Sequence, residues 1–127
     1  MNRTFQNKKF ILEYYEAMSS QEFSEELVRR YISDEKLIAH ILFFKKTFPD
    51  YTGELKEIIA EGDRVFVKIN FRGTYQGDLG GVPPTLRKFT APFAICYRVE
   101  NRKIIDHWMI ADQMDLLEQL GLLNDGL

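Results

Sequence analysis

The chain has 127 residues, 45% of them hydrophobic, with 17 basic against 19 acidic side chains and a formal net charge of −2. That length fits one domain with a core of its own, spanning residues 1–127. The near balance of charge, with no basic run longer than a pair, gives no reason to expect nucleic-acid binding. A single cysteine, Cys96, excludes an intrachain disulfide and a thiolate zinc site, and it suits a reducing compartment.

Glu13 and Glu16 interrupt the N-terminal segment before any apolar stretch reaches signal-peptide length. No run of about eighteen apolar residues occurs anywhere, so the expectation is a soluble, cytoplasmic protein without membrane contact. Over residues 5–18, Phe10, Ile11, Tyr14, Tyr15 and Met18 fall on one helical stripe, which predicts an amphipathic helix. Ser19 and Glu22 have the spacing of a capping box, and Phe23, Leu27 and Tyr31 then recur every four residues, predicting a second, short helix. Ser33 or Asp34 can cap a third helix, whose stripe of Leu37, Ile41, Phe44 and Phe48 ends at Pro49.

From Glu54 the period changes from helix to strand. A strand at 54–60 and a second in which Val65, Val67, Ile69 and Phe71 alternate with Phe66, Lys68, Asn70 and Arg72 are joined by Glu61-Gly62-Asp63, a tight hairpin. The Gly- and Pro-rich connector from Gly77 to Arg87 reads as a hairpin loop, long enough to cover a pocket mouth but without the Gly-Lys-Ser/Thr of a phosphate loop. Phe89, Ala91, Phe93, Ile95, Tyr97 and Val99 mark a long third strand. Pro92 within it forfeits a ladder donor, which predicts a bulge, an edge or a solvent-facing amide there. Glu100-Asn101-Arg102 turns the chain into a fourth strand at 103–111, and a short helix follows Asp112, with Gly121 as its C-cap. Helices first, then hairpin-linked strands, then a terminal helix define an α+β domain with an antiparallel sheet. Both faces of the last strand carry apolar residues, so helices are expected on one side and a second subunit, in a homodimer, on the other.

Strict alternation in that strand places Ile104, Asp106, Trp108, Ile110 and Asp112 on one face, and Ile105, His107 and Met109 on the other. A carboxylate beside an indole loses hydration, which raises its pKa and suits it to proton exchange near neutrality. Asp112 is therefore a candidate general acid/base with Trp108 shaping its surroundings. The alternative is that Asp112 simply caps the helix that follows. His40 lies about 60° off the centre of its helix stripe and is a candidate proton partner, or else a boundary histidine that packs locally. Tyr14 and Phe44 on their buried stripes, and Asn70 on its strand, are candidates to contact a substrate. Asn70 shares its face with Lys68 and Arg72, which fits a solvated or interfacial surface equally well. His107 is expected on the opposite face, at an interface or surface. Two histidines and scattered carboxylates offer no metal-ligand spacing, so neither metal nor cofactor is expected.

Several segments carry a family resemblance: Phe48–Asp50 (FPD), Ala60–Val65 (AEGDRV), Phe71–Gly77 (FRGTYQG), Val82–Thr85 (VPPT), and His107-Trp108 with Asp112 four residues beyond the tryptophan. Over residues 34–121 the chain resembles the SnoaL-like polyketide cyclases, or ester cyclases, of the NTF2-like superfamily. The resemblance implies a cone in which a curved antiparallel sheet wraps helices around a deep apolar pocket, usually in a homodimer. It also implies cofactor-independent aldol-type ring closure with an aspartate as acid/base, a role that would fall to Asp112. The chain departs from those enzymes on the strand beside it, where they carry histidine and other polar partners and this sequence offers Ala94, Cys96 and Arg98, or Phe93, Ile95 and Tyr97. The expected activity is an aldol-type cyclase or isomerase acting on a small apolar carbonyl compound. The alternative is a non-catalytic small-ligand-binding or dimeric interaction module of the same fold. Epoxide opening would want an additional Asp–Arg pair that the strand positions do not clearly supply.

Overall fold

Each described helix begins on a side-chain oxygen that accepts a free backbone amide, as a helix start requires. In the computed structural model, which describes residues 2–77, 79 and 81–122, these starts define α1 (Arg3–Ser20), α2 (Glu25–Tyr31), α3 (Glu35–Thr47) and α4 (Gln113–Gln119). The capping residues are Asn2, Ser24, Asp34 and Asp112. The capping box expected at Ser19 does not form. Ser19 and Ser20 instead bond back to the Glu16 carbonyl inside the last turn of α1, and Ser24 starts α2 by accepting from the Leu27 amide at 3.0 Å. No described helix is long and apolar enough to cross a membrane.

Four antiparallel strands follow in sequence order, β1 (Thr52–Glu61), β2 (Arg64–Thr74), β3 (Lys88–Glu100) and β4 (Lys103–Ala111). Gly62, at φ 60°, makes the β1–β2 hairpin, and Asn101 and Arg102, at φ 49° and 57°, make the β3–β4 hairpin. Such two-residue turns need positive φ at their centre because only that hand matches the twist of the strands. Pro92 falls where β3 becomes an edge. The last β4 partner, Ala111, stands opposite Phe93, and the Thr90 amide, on the same side of the strand as the missing Pro92 donor, bonds to the Gln119 side chain of α4.

The inner sheet face holds Val65, Val67, Ile69, Phe93, Ile95, Tyr97 and Val99, and packs on Phe10, Ile11 and Tyr14 of α1 and Leu37, Ile38 and Ile41 of α3. Two irregularities bend the sheet, one at Lys56 in β1 and one at Ile105 in β4. The second changes the expected alternation. Because Val99 pairs with Ile104 and Arg98 with Asp106, Ile105 is an extra residue, and both Ile104 and His107 turn inward. Trp108 and Ile110 therefore lie on the outer face, 46% and 66% exposed, while Ile104 is fully buried. Phe66 and Trp108 meet edge to face at 5.7 Å on that outer side, over their shared neighbour Cys96, which is buried.

His107 is consequently part of the frame and not of the surface. Its Nδ1 lies 2.6 Å from Asp34 Oδ2, while Asp34 Oδ1 accepts the amides of Lys36 and Leu37. The same junction is tied by the Ser33 and Asp34 amides, both donating to the Ile104 carbonyl. One carboxylate thus starts α3 and fastens it to β4. Asp34→Ala strips the acceptor from two helix amides and one partly buried imidazole and is expected to cost about 2–3 kcal/mol. A urea midpoint unchanged from the parent protein would contradict this role.

Candidate active site

Between the inner sheet face and helices α1 and α3 lies a cavity of about 410 Å³. Its closed end is made by Tyr14, Leu37, Ile69, Phe93, Ile95 and Tyr97, all buried. Its mouth is bordered by the exposed Ser19, Gln21, His40, Pro49, Asp50, Thr52 and Gly53, with Tyr51 half-buried among them. The volume is in the usual range for small-molecule sites, which are mostly apolar with a few convergent polar groups.

Aromatic rings shape most of the wall. Phe44 of α3 meets Tyr51, Phe71 and Phe93 at centroid separations of 4.9, 5.7 and 6.2 Å, and His40, one turn earlier, stacks on it at 6.1 Å and 18°. Three phenols bring polarity into the interior. The hydroxyls of Tyr15 and Tyr97 are 2.5 Å apart, whereas the Tyr14 hydroxyl has no hydrogen-bond partner among the described residues. Burial, reinforced by neighbouring phenols, pushes the pKa of all three upward, and burial alone holds Tyr51 up at about 12. These phenols stay neutral at physiological pH and act as hydrogen-bond donors. In a Tyr–Tyr pair one hydroxyl donates to the other, which leaves the second hydrogen free for a ligand oxygen.

His40 is the histidine among the described lining residues. Burial of part of the ring, and then the proximity of His107, hold its pKa below the ordinary histidine value. It is therefore neutral near pH 7 and able to accept a proton.

The structure brings together His40, Tyr14 and Phe44 from the sequence-derived candidates, all on the cavity wall. Asp112, Trp108 and Asn70 are not among the lining residues. Asp112 is exposed and its Oδ1 accepts the Asp115 amide at 2.9 Å, the capping arrangement. Trp108 stands on the outer face for the reason given by the Ile105 bulge, and Asn70 shares that face with Lys68 and Arg72, opposite Pro92. Sequence reading missed Tyr15 and Tyr97 as a hydroxyl pair. Their alternation and helical stripe were visible, but a contact 82 positions apart has no local signal. No described residue of the 77–87 connector lines the cavity. It is folded onto itself, with the Tyr75 hydroxyl donating to the Val82 carbonyl and accepting from the Leu79 amide.

The chain belongs to the SnoaL-like polyketide cyclase family, whose model matches residues 5–120. No curated protein sequence matches it. Among solved structures it is similar to AclR from Streptomyces galilaeus, provisionally described as a hydroxylase, at 26% identity and TM-score 0.78, over 96% of this chain and 85% of that one. It is also similar to IdmH from Streptomyces antibioticus, provisionally described as a polyketide cyclase, at 29% identity and TM-score 0.73, over 91% of this chain and 99% of that one. A SnoaL-like protein from Jannaschia sp. CCS1 shares the fold at TM-score 0.82 with 17% identity, over 98% and 97% of the two chains. The curved sheet and its helices are thus the NTF2-like cone that the sequence resemblance implied.

The hydroxyl pair yields a direct test. In a double-mutant cycle with Tyr15→Phe and Tyr97→Phe, chemical denaturation is expected to give a coupling of about 1 kcal/mol, the usual net worth of a buried hydrogen bond. Additive losses would mean the two hydroxyls do not interact in solution.

Proposed function

We propose that the protein is a cofactor-independent acid/base enzyme that binds a small, largely apolar carbonyl compound in this cavity and catalyses an aldol-type cyclisation or an isomerisation. The observation that carries the reading is the convergence of a neutral histidine and buried phenol donors on one apolar chamber. The family membership, the description of AclR as a hydroxylase and that of IdmH as a polyketide cyclase agree with chemistry on a small molecule.

His40 removes a proton from carbon flanked by carbonyl groups, and a Tyr15–Tyr97 hydroxyl donates to the oxygen on which the enolate charge develops. Preorganised donors in a water-poor site are what such a step requires. In a cyclisation the enolate carbon attacks a second carbonyl of the same molecule and the alkoxide regains the proton; in an isomerisation the proton returns to a different carbon. Asp112 acts as the cap of α4, and the acid/base role falls to His40.

His40→Gln is expected to lower kcat about 10²–10⁴-fold, the usual worth of a general base, while leaving ligand affinity within a few-fold. Asp112→Ala should cost about 1 kcal/mol of stability and little activity. The reverse pattern would return the chemistry to Asp112, and no turnover of any carbonyl compound that binds would favour a non-catalytic binding module. Because the base form of His40 is the neutral one and its pKa is lowered, kcat/KM should be flat near neutrality and fall only as pH drops below the ordinary histidine value of about 6.5. A profile still rising above pH 7 would contradict this.

Ile59, Phe66, Trp108 and Ile110 form an exposed apolar patch on the outer sheet face, which supports a homodimer in which a second copy covers it. Light scattering after size exclusion should give a dimer mass for the parent protein and a folded monomer for Trp108→Glu. A parent protein that is monomeric at micromolar concentration would rule this out.

A further inference from the structure

Lys45 is the only lysine or arginine among the described residues that line the cavity. It is half-buried on α3 near the C-terminal end, and its Nζ lies 5.4 Å from the ring centre of Phe23 and 5.5 Å from that of Tyr51, both part of the cavity wall. One N–H donates to the Pro49 carbonyl at 2.7 Å, and no carboxylate pairs with the ammonium among the described residues. The nearby rim carboxylate, Asp50, is committed elsewhere: its two oxygens accept the amide and the hydroxyl of Thr74 at 2.8 and 2.7 Å.

A lysine with one carbonyl partner has two further N–H groups to give. Two flanking aromatic rings hold the cation in place and take part of its hydration, which strengthens its attraction for an anion. Apart from the Asp50 carboxylate held by Thr74, the other described wall groups offer neutral donors and apolar surface, so Lys45 is the one positive charge a ligand meets at the mouth. From this placement we infer that the cavity takes an amphiphile: an apolar or aromatic body inside, and a carboxylate or comparable acidic group held at the mouth by Lys45. This deepens the small-molecule reading above and rests on it. It makes Lys45 a residue that selects acidic over neutral ligands, while the phenol pair acts on the part of the molecule further in.

Two probes of nearly the same body separate charge from shape, 8-anilinonaphthalene-1-sulfonate and the uncharged N-phenyl-1-naphthylamine. They are titrated by calorimetry at about pH 8, where Lys45 is charged and His40 is neutral. The parent protein is expected to bind both with one-to-one stoichiometry, and Met18→Trp, which fills the chamber from α1, should abolish both. Lys45→Met should weaken the sulfonate roughly tenfold and the neutral probe by less than about twofold, with Lys45→Arg restoring most of the sulfonate affinity. A second arm needs no variant: added salt should weaken the sulfonate relative to the neutral probe in the parent protein. Equal weakening of both probes by Lys45→Met, or a salt-independent ratio, overturns the assignment while leaving the cavity a ligand site. If neither probe binds, or if binding survives Met18→Trp, the small-molecule reading of the cavity fails and the Lys45 assignment with it.

Discussion

One extra residue in β4 decides which side chains of the last strand meet the interior. The bulge at Ile105 lets Ile104 and His107 both turn inward, so that the strand can be anchored at one end by a fully buried isoleucine and, three residues on, by an imidazole bonded to the cap of α3. Without that extra residue, a buried Ile104 would carry Trp108 and Ile110 inside and expel His107 and Met109. The identity of the cavity wall therefore depends on a local irregularity. The Asp34–His107 bond and the two amides donated to the Ile104 carbonyl hold the irregularity in register, and α3, which carries His40, Phe44 and Lys45, is positioned by the same junction.

The chamber behind that junction separates two kinds of polar group. Deep inside, burial keeps the tyrosines un-ionised, so they can hydrogen-bond to a ligand oxygen without introducing charge into a low-dielectric space. Near solvent, His40 and Lys45 occupy positions where charge is tolerable, and only one of them is charged near neutrality. An apolar body with oxygens at defined positions fits such a gradient. A water-filled polar cleft would leave the phenols solvated and would lose that differential.

Most of the architecture was legible in the sequence because it is written in short periods. The stripe of α3, the alternation of β2 and β3, the glycine of the first hairpin and the cap at Asp34 each follow from residues within one or two turns of one another. Three features were not. The Ile105 bulge has no glycine or proline to mark it, so strict alternation misplaced Trp108 and His107. The start of α2 moved because α1 runs on through Ser20, which puts Ser19 inside a helix and leaves the cap to Ser24. The Tyr15–Tyr97 pair and the Asp34–His107 bond join residues more than seventy positions apart, where only the folded sheet brings them together. Helical periodicity set the direction of His40, Tyr14 and Phe44, and all three line the cavity. Asp112 carried both readings from the outset, and capping is the one its geometry satisfies.

The proposed reaction needs a working chamber under the inner sheet face with His40 at its mouth. With only two histidines in the sequence, the imidazole Cε1–H resonances can be assigned by one substitution and followed through a pH titration by NMR. His40 is expected to titrate below the ordinary histidine value, and its resonance to shift when N-phenyl-1-naphthylamine is added to saturation. A His40 that titrates at or above that value, with a resonance indifferent to the bound probe, would contradict it.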